Sequence, residues 1–200
     1  MLPSVQVHVC LMLKAPRAGS VKTRLGSTIG MPEAACVYRQ LVEYQITQIP
    51  ADWVLHFAYT PKDALAEMKE WLGEKAFYFC QCEGDLGARL QHATEVVFDS
   101  GAKRLVLLGG DCPELTTPRL QAAAAAPGIA IWPTRDGGYC LIAMDKPEPE
   151  LFLNMPWSTP AIFQETMARG LEQALVMAVM SPTLEDVDDA ESLQRMLNRR

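Results

Sequence analysis

Leu105-Val-Leu-Leu108 is an unbroken apolar run, preceded by Lys103-Arg104 and closed by Gly109-Gly-Asp-Cys-Pro113. A run this short, with a β-branched residue inside it and a glycine pair at its end, predicts a strand buried on both faces of a parallel sheet. The glycines permit close backbone approach, and Pro113 cannot continue a ladder, so the strand ends on a carboxylate, Asp111. Ligands of open α/β sheets bind outside the carboxyl ends of the strands. Asp111 therefore stands where a ligand or a metal ion is expected, although an aspartate also suits a plain turn cap.

The rest of the chain supplies partners for such a strand. Val5–Leu13, Trp53–Tyr59, Ala76–Cys80, Ile129–Trp132, Tyr139–Met144 and Ala174–Met180 read as further strands. Helical stripes lie between them: from Pro32 through Ile49, over Pro61–Leu72, after an Asp85 N-cap, after Thr117-Pro118, over Ala161–Arg169 with Ser158 or Thr159 as cap, and over Glu191–Arg199. The Asp136-Gly-Gly-Tyr139 turn makes the strands either side of it an antiparallel hairpin. The predicted fold class is α/β, a single domain over residues 1–200 with a mixed, mostly parallel sheet flanked by helices. A length of 200 residues with 49% hydrophobic and 21% charged residues suits one such core.

Charge narrows the function. A formal net charge of −6 argues against general nucleic-acid binding, whose footprint is a basic face. With no secretion signal and no apolar run long enough to span a bilayer, a cytoplasmic protein with free thiols at its six cysteines is expected. His56, inside an apolar run, reads as a core histidine. The charges are unevenly placed: Lys14–Arg24 carries four cations and no acid, and Glu185–Glu191 carries five acids and no cation. The basic loop follows the first strand and contains Pro16 and Gly19, which suits polyphosphate: backbone N–H groups turn outward while Lys14, Lys22 and Arg24 add positive charge. It matches neither the Walker loop nor the Rossmann fingerprint. Asp136 lies at the ligand edge and suits orientation of an acceptor hydroxyl or general-base work, though Asp-Gly is also a favoured hairpin turn. Trp157 reads either as a stacking platform or as a packing anchor. Cys112, between Asp111 and Pro113, is an alternative nucleophile, but no histidine falls in a motif near it.

Taken in order, Lys14-Ala-Pro-x-x-Gly-x-Val-Lys-Thr-Arg-Leu25, Gly84-Asp-Leu-Gly87, Gly110-Asp-Cys-Pro113, Asp136-Gly-Gly-Tyr139, Pro156-Trp-Ser-Thr159 and Asp186-Val-Asp188 resemble the bacterial family DUF2064, grouped with nucleotide-diphospho-sugar transferases of the glycosyltransferase-A fold. More distantly the chain is similar to guanylyltransferases of molybdenum-cofactor and phospholactate-cofactor synthesis. The resemblance implies a metal-dependent transferase, a glycosyltransferase or a nucleotidyltransferase, using a nucleotide-sugar or nucleoside-triphosphate donor and an unidentified small-molecule acceptor. A catalytically degenerate nucleotide-binding scaffold is the alternative from another class. Carried over by position, it implies nucleotide contacts from Lys14, Ala15, Pro16, Gly19, Lys22, Arg24, Gly84, Asp85 and Gly110. It implies Mg²⁺ or Mn²⁺ on Asp111 and Asp188, with Asp186 as the fallback second ligand, and catalysis by Asp111, Lys22 and Asp136. Oxygen-preferring Mg²⁺ or Mn²⁺ suits two carboxylates completed by phosphates.

Overall fold

The computed structural model describes residues 6–198. In order, the elements are β1 (Val7–Lys14), α1 (Thr23–Ile29), α2 (Met31–Thr47), β2 (Val54–Thr60), α3 (Leu65–Leu72), β3 (Phe77–Cys80), α4 (Leu86–Asp99), β4 (Arg104–Gly109), α5 (Thr117–Ala125), β5 (Ile129–Pro133), β6 (Tyr139–Met144), α6 (Ile162–Glu172), β7 (Met177–Val179) and α7 (Ala190–Asn198). The expected strand start at Val5 and helix end at Arg199 lie outside the described residues.

The seven strands form one sheet in the order β3-β2-β1-β4-β6-β5-β7. Only β6 runs against the others, pairing antiparallel with β4 and with β5. The predicted mixed, mostly parallel α/β architecture is the observed one. β4 is its centre: Leu105 and Leu107 face one helical layer, Val106 and Leu108 the other, and all four are buried. The layer on Val106 and Leu108 is built from α2, α3 and α5 through Tyr38, Val42, Met68 and Leu120. The opposite layer is α4 and α6, through Leu90, Ala93, Val97, Phe163 and Met167. Fully burying Val42, Met68, Val97 and Leu120 is worth about 1.5–3 kcal/mol for each side chain.

The connection order reverses at the junction of β1 and β4. From β1 the chain winds outward to β2 and β3, and β4 then returns to the other side of β1, with Met12 opposite Gly109 at its carboxyl end. Such a switch point leaves a crevice between the loops that leave the two strands. Here those loops are Ala15–Lys22 and Gly110–Thr116.

The last strand is shorter than expected, Met177–Val179 in place of Ala174–Met180, and α3 starts at Leu65 in place of Pro61; three further differences have a physical reason. α1 has no apolar stripe to announce it; Leu25 and Gly26 alone are buried, and Gly26 is tight because a Cβ there would run into the Met31 side chain. Helix α1 is therefore a product of packing against α2. α5 has Thr116 at its N-cap position, one residue earlier than expected and with no side-chain cap bond, while the Thr117 hydroxyl is donated to the Gln48 carbonyl. Neither Ser158 nor Thr159 caps α6, which begins at Ile162 after a left-handed Ser158 and a Thr159 hydroxyl that donates to the Pro156 carbonyl. No helix among the described residues is long and apolar enough to cross a membrane.

His8 Nδ1 and His56 Nε2 lie 2.9 Å apart inside the sheet, with stacked rings. Burial first, and then the neighbouring His8, lowers the His56 pKa to about 4. A folded-state pKa below the unfolded 6.5 means that the native state binds fewer protons. Stability is then fully present above about pH 6.5 and declines by up to about 3 kcal/mol as the pH falls toward 4. Urea unfolding of wild type and His56→Phe between pH 7 and pH 4 checks this: the variant should show a flatter profile, and an equal slope would place the acid sensitivity elsewhere.

Candidate functional site at the β1–β4 crevice

The loop after β1 is held from behind. Ala15 N–H donates to the Thr60 carbonyl, Arg17 N–H to the Ala15 carbonyl, and Lys14 N–H to the Tyr38 hydroxyl. Arg17 is spent on Glu67 and Asp63. The loop ends at Lys22, whose φ of 46° and ψ of 46° are left-handed, a conformation costing a non-glycine residue roughly 1–2 kcal/mol. That turn sends the Lys22 side chain inward.

There it meets Asp111 and Asp188, the two acids expected from the sequence to bind metal. Lys22 Nζ lies 2.7 Å from Asp111 Oδ2 and 2.7 Å from Asp188 Oδ1, and only 5% of its side chain is exposed. Burial works to strip the proton from this ammonium, but the two carboxylates outweigh burial by charge and by hydrogen bond, so its pKa is raised. Two carboxylates separated by 77 positions thus converge on one cation.

Asp188 is delivered by the segment before α7. Leu184 bridges to Thr134 beside β5, Val187 N–H donates to the Asp111 carbonyl, and Asp188 N–H donates to Ser192 Oγ. The acidic run sorts itself into roles. Glu185 and Glu191 pair with Arg195, and Asp189 caps α7 by accepting the Ser192 N–H at 2.8 Å. Asp186 and Asp188 face the crevice. The Asp186 pKa is raised well above the ordinary range, by burial first and then by Asp111 and Asp188.

Two adjoining cavities meet at this point. One, of about 290 Å³, is walled by Lys14, Lys22, Arg24, Tyr38 and Gly110. The other, of about 520 Å³, is walled by Leu86, Leu90, Leu107, Tyr139, Trp157, Asp136 and Asp186. Asp111, Asp188, Arg24, Met12 and Gly109 line both. Lys14 and Arg24 are exposed and have no acidic partner among the described residues. Asp136 Oδ1 is tied down by Thr134 Oγ1 at 2.6 Å and by Gly138 N–H at 3.1 Å.

The structure does not bring every expected nucleotide contact to these walls. Ala15, Pro16 and Gly19 line neither cavity; Ala15 is buried with its N–H already used. Gly84 and Asp85 also stand away, because Asp85 caps α4 by accepting the Ala88 N–H at 2.9 Å. Gly110 does line the smaller cavity, and the side where its Cβ would sit is filled by Val42 and Leu13. Hydrogen bonding with Cys140 and burial push the Cys112 thiol's pKa up, which disfavours a free thiolate and argues against nucleophilic use of this residue. Sequence reasoning missed the apolar wall of Leu86, Leu90 and Ile162, since helix-stripe residues carry no signal that separates core from cavity lining.

The loop Pro156–Pro160 closes the larger cavity and is locked to the β5–β6 turn. Gly137 has a φ of 87°, its carbonyl accepts the Phe163 N–H at 2.9 Å, and a Cβ there would collide with the Pro160 carbonyl. Gly137→Ala should therefore lower stability by about 2–4 kcal/mol. A thermal melt unchanged from wild type would show that the two loops are not rigidly joined.

Comparison with known proteins places this geometry. A family model described as an uncharacterised protein conserved in bacteria, DUF2064, matches residues 46–159. The crystal structure of a candidate nucleotide-diphospho-sugar transferase from Desulfovibrio desulfuricans G20 superposes with a TM-score of 0.89 at 32% identity, covering 95% of this chain and 85% of that one. CMP:2-keto-3-deoxy-manno-octonic acid synthetase complexed with CTP shares the fold at a TM-score of 0.59 and 12% identity, covering 97% and 98%. Rv0371C from Mycobacterium tuberculosis H37Rv, in complex with manganese, does so at 0.54 and 14%, covering 98% and 100%. No curated protein matches the sequence at significance. A family match across more than half of the chain, joined to a near-complete superposition at 32% identity, means that this chain belongs to the DUF2064 family.

Proposed function

We propose that this chain is a metal-dependent transferase that works as one domain in the cytoplasm on a nucleoside triphosphate or a nucleotide sugar. The observation that carries the reading is the convergence of Asp111 and Asp188 on a single cation at the switch point, beside Lys14 and Arg24, which no acid neutralises among the described residues. Reduced thiols at all six cysteines suit the compartment. The CTP and manganese complexes among proteins of this fold agree with the donor and the metal.

The residues fit Mg²⁺ or Mn²⁺. Both ions take oxygen ligands and accept one or two carboxylates, with phosphates and water completing the shell, and two carboxylate oxygens already lie equidistant from one point. Asp111 and Asp188 would hold the ion, and it would supply neutralisation of the diphosphate that leaves. Lys14 and Arg24 bind phosphate oxygens at the open side of the smaller cavity, and Lys22, once released from the acids, adds a third cation. Asp136, with one oxygen fixed, offers the other to an acceptor hydroxyl in the larger cavity. The partly apolar wall there, including Trp157, shields that hydroxyl from water.

A thermal-shift series with nucleoside triphosphates and nucleotide sugars, with and without Mg²⁺ or Mn²⁺, tests the reading. A donor at a hundred times its Kd adds about 2.7 kcal/mol. Stabilisation by sugar nucleotides alone assigns glycosyl transfer, and stabilisation by triphosphates alone assigns nucleotidyl transfer. No metal-dependent response to any of them would leave a scaffold and defeat the proposal.

A further inference from the structure

Beneath the carboxylate pair lies a second cluster that the proposed transfer reaction does not use. Cys112 follows Asp111 at the end of β4, Cys140 is the second residue of the neighbouring β6, and Asp186 comes from the segment before α7. Their ligand atoms, two Sγ and a carboxylate oxygen, all lie within 4.8 Å of one another. Both thiols are buried. Their other polar contacts are long ones to carbonyls: Cys112 Sγ to the Glu185 oxygen and Cys140 Sγ to the Trp132 oxygen, each at 3.7 Å. Asp186 Oδ1 is buried and has no hydrogen-bond partner. A buried carboxylate oxygen left unpaired costs several times what a surface one does, and natural structures rarely leave one so.

We propose that Cys112, Cys140 and Asp186 form a binding site for a borderline-soft divalent cation, Zn²⁺ by the chemistry of its donors, distinct from the Mg²⁺ or Mn²⁺ position on Asp111 and Asp188. Two sulfurs and one oxygen are a donor set that Zn²⁺ accepts at about 2.3 Å and 2.0–2.2 Å, so ligands within 4.8 Å of each other need only small movements to close on it. Hard Mg²⁺ does not compete for thiolates. Cys140 and Asp186 both line the 520 Å³ cavity, which gives the ion a way in and leaves the fourth coordination position facing solvent or substrate. Binding converts both thiols to thiolates and releases their protons to solvent. The ion would tie β4, β6 and the Asp186–Asp188 segment together, and with them the two carboxylates of the site above.

Cobalt titration of the reduced, full-length protein decides the matter. Exposed or half-exposed Cys36, Cys80 and Cys82 are first replaced by alanine, which leaves Cys10 as the sole thiol besides the pair. Co²⁺ should then give a thiolate-to-cobalt charge-transfer band that saturates at one equivalent, is bleached by one equivalent of Zn²⁺ and survives excess Mg²⁺. The band should disappear in Cys140→Ala and Cys112→Ala and persist in Asp111→Asn. Absence of the band in the triple variant, or its persistence without Cys140, would overturn the site. If the Cys140→Ala protein fails to fold, the triple variant alone decides through the presence or absence of a saturating band.

Discussion

Asp111→Ala should lose metal-dependent donor binding and lower turnover by about 10³-fold, while unfolding close to the wild-type temperature. The two halves of this expectation have separate causes. Asp111 contributes one hydrogen bond, to Lys22, from a side chain that is 31% exposed, so its removal leaves no buried hole and no stranded partner, because Lys22 keeps Asp188. Binding is another matter. Asp111 is the one carboxylate fixed directly to the central strand, with Val187 N–H donating to its own carbonyl and so setting the spacing to Asp188. In the proposed function it is the acid that places the cation against a diphosphate at the switch point. Calorimetry of nucleotide binding with and without Mn²⁺ reads the first effect and steady-state kinetics the second. Wild-type metal dependence in the variant would reduce Asp111 to a turn residue.

Lys22→Met should behave in the opposite sense toward metal. Removing the ammonium leaves Asp111 and Asp188 facing each other beside Asp186, and breaking a buried pair costs 3–5 kcal/mol when both partners are enclosed. Asp188 is 45% exposed, so water screens part of this repulsion and a loss on the order of 2 kcal/mol is expected at neutral pH and low salt. Millimolar Mg²⁺ should restore most of that loss. In the wild type the ion must displace Lys22, and in the variant it finds the two acids unpaired. The variant should therefore gain more stability from Mg²⁺ than the wild type gains, while its nucleotide affinity should fall if Lys22 binds phosphate as proposed. Equal metal-induced shifts in the two proteins would mean that Lys22 and the metal do not share a position.

What the sequence revealed follows from where its signals are local. The central strand and its terminal Asp111 were legible because an apolar run, a glycine pair and a proline stand consecutively, and the antiparallel β6 because Asp-Gly-Gly marks its turn. The grouping of Lys14, Lys22 and Arg24 at a wall with Asp111 follows from their place after two strands that turn out to be neighbours. Helix α1 was not legible, since a buried Leu25 and a glycine make no stripe, and neither was the left-handed turn that sends Lys22 to the acids instead of outward. The choice between ligand and backbone roles for Ala15 and Asp85 was not legible for a related reason: an N–H donor or a capping carboxylate looks the same in sequence whether it serves a ligand or its own backbone. Cys112, Cys140 and Asp186 are scattered along the chain and meet only through the pairing of β4 with β6, where Leu108 stands opposite Leu141.

The β1–β4 pairing at the middle of the sheet joins Val7 to Arg104, and the contacts of Lys22 with Asp111 and Asp188 bridge 89 and 166 positions. Contacts so distant in sequence are closed late, because the entropy of the intervening loop must be met before they form. A nascent chain released up to the end of β6 would hold the basic loop and the central aspartate yet lack Asp188. Donor binding of the proposed kind would therefore report on the last stage of assembly, and refolding followed by nucleotide fluorescence should lag behind refolding followed by the helical signal.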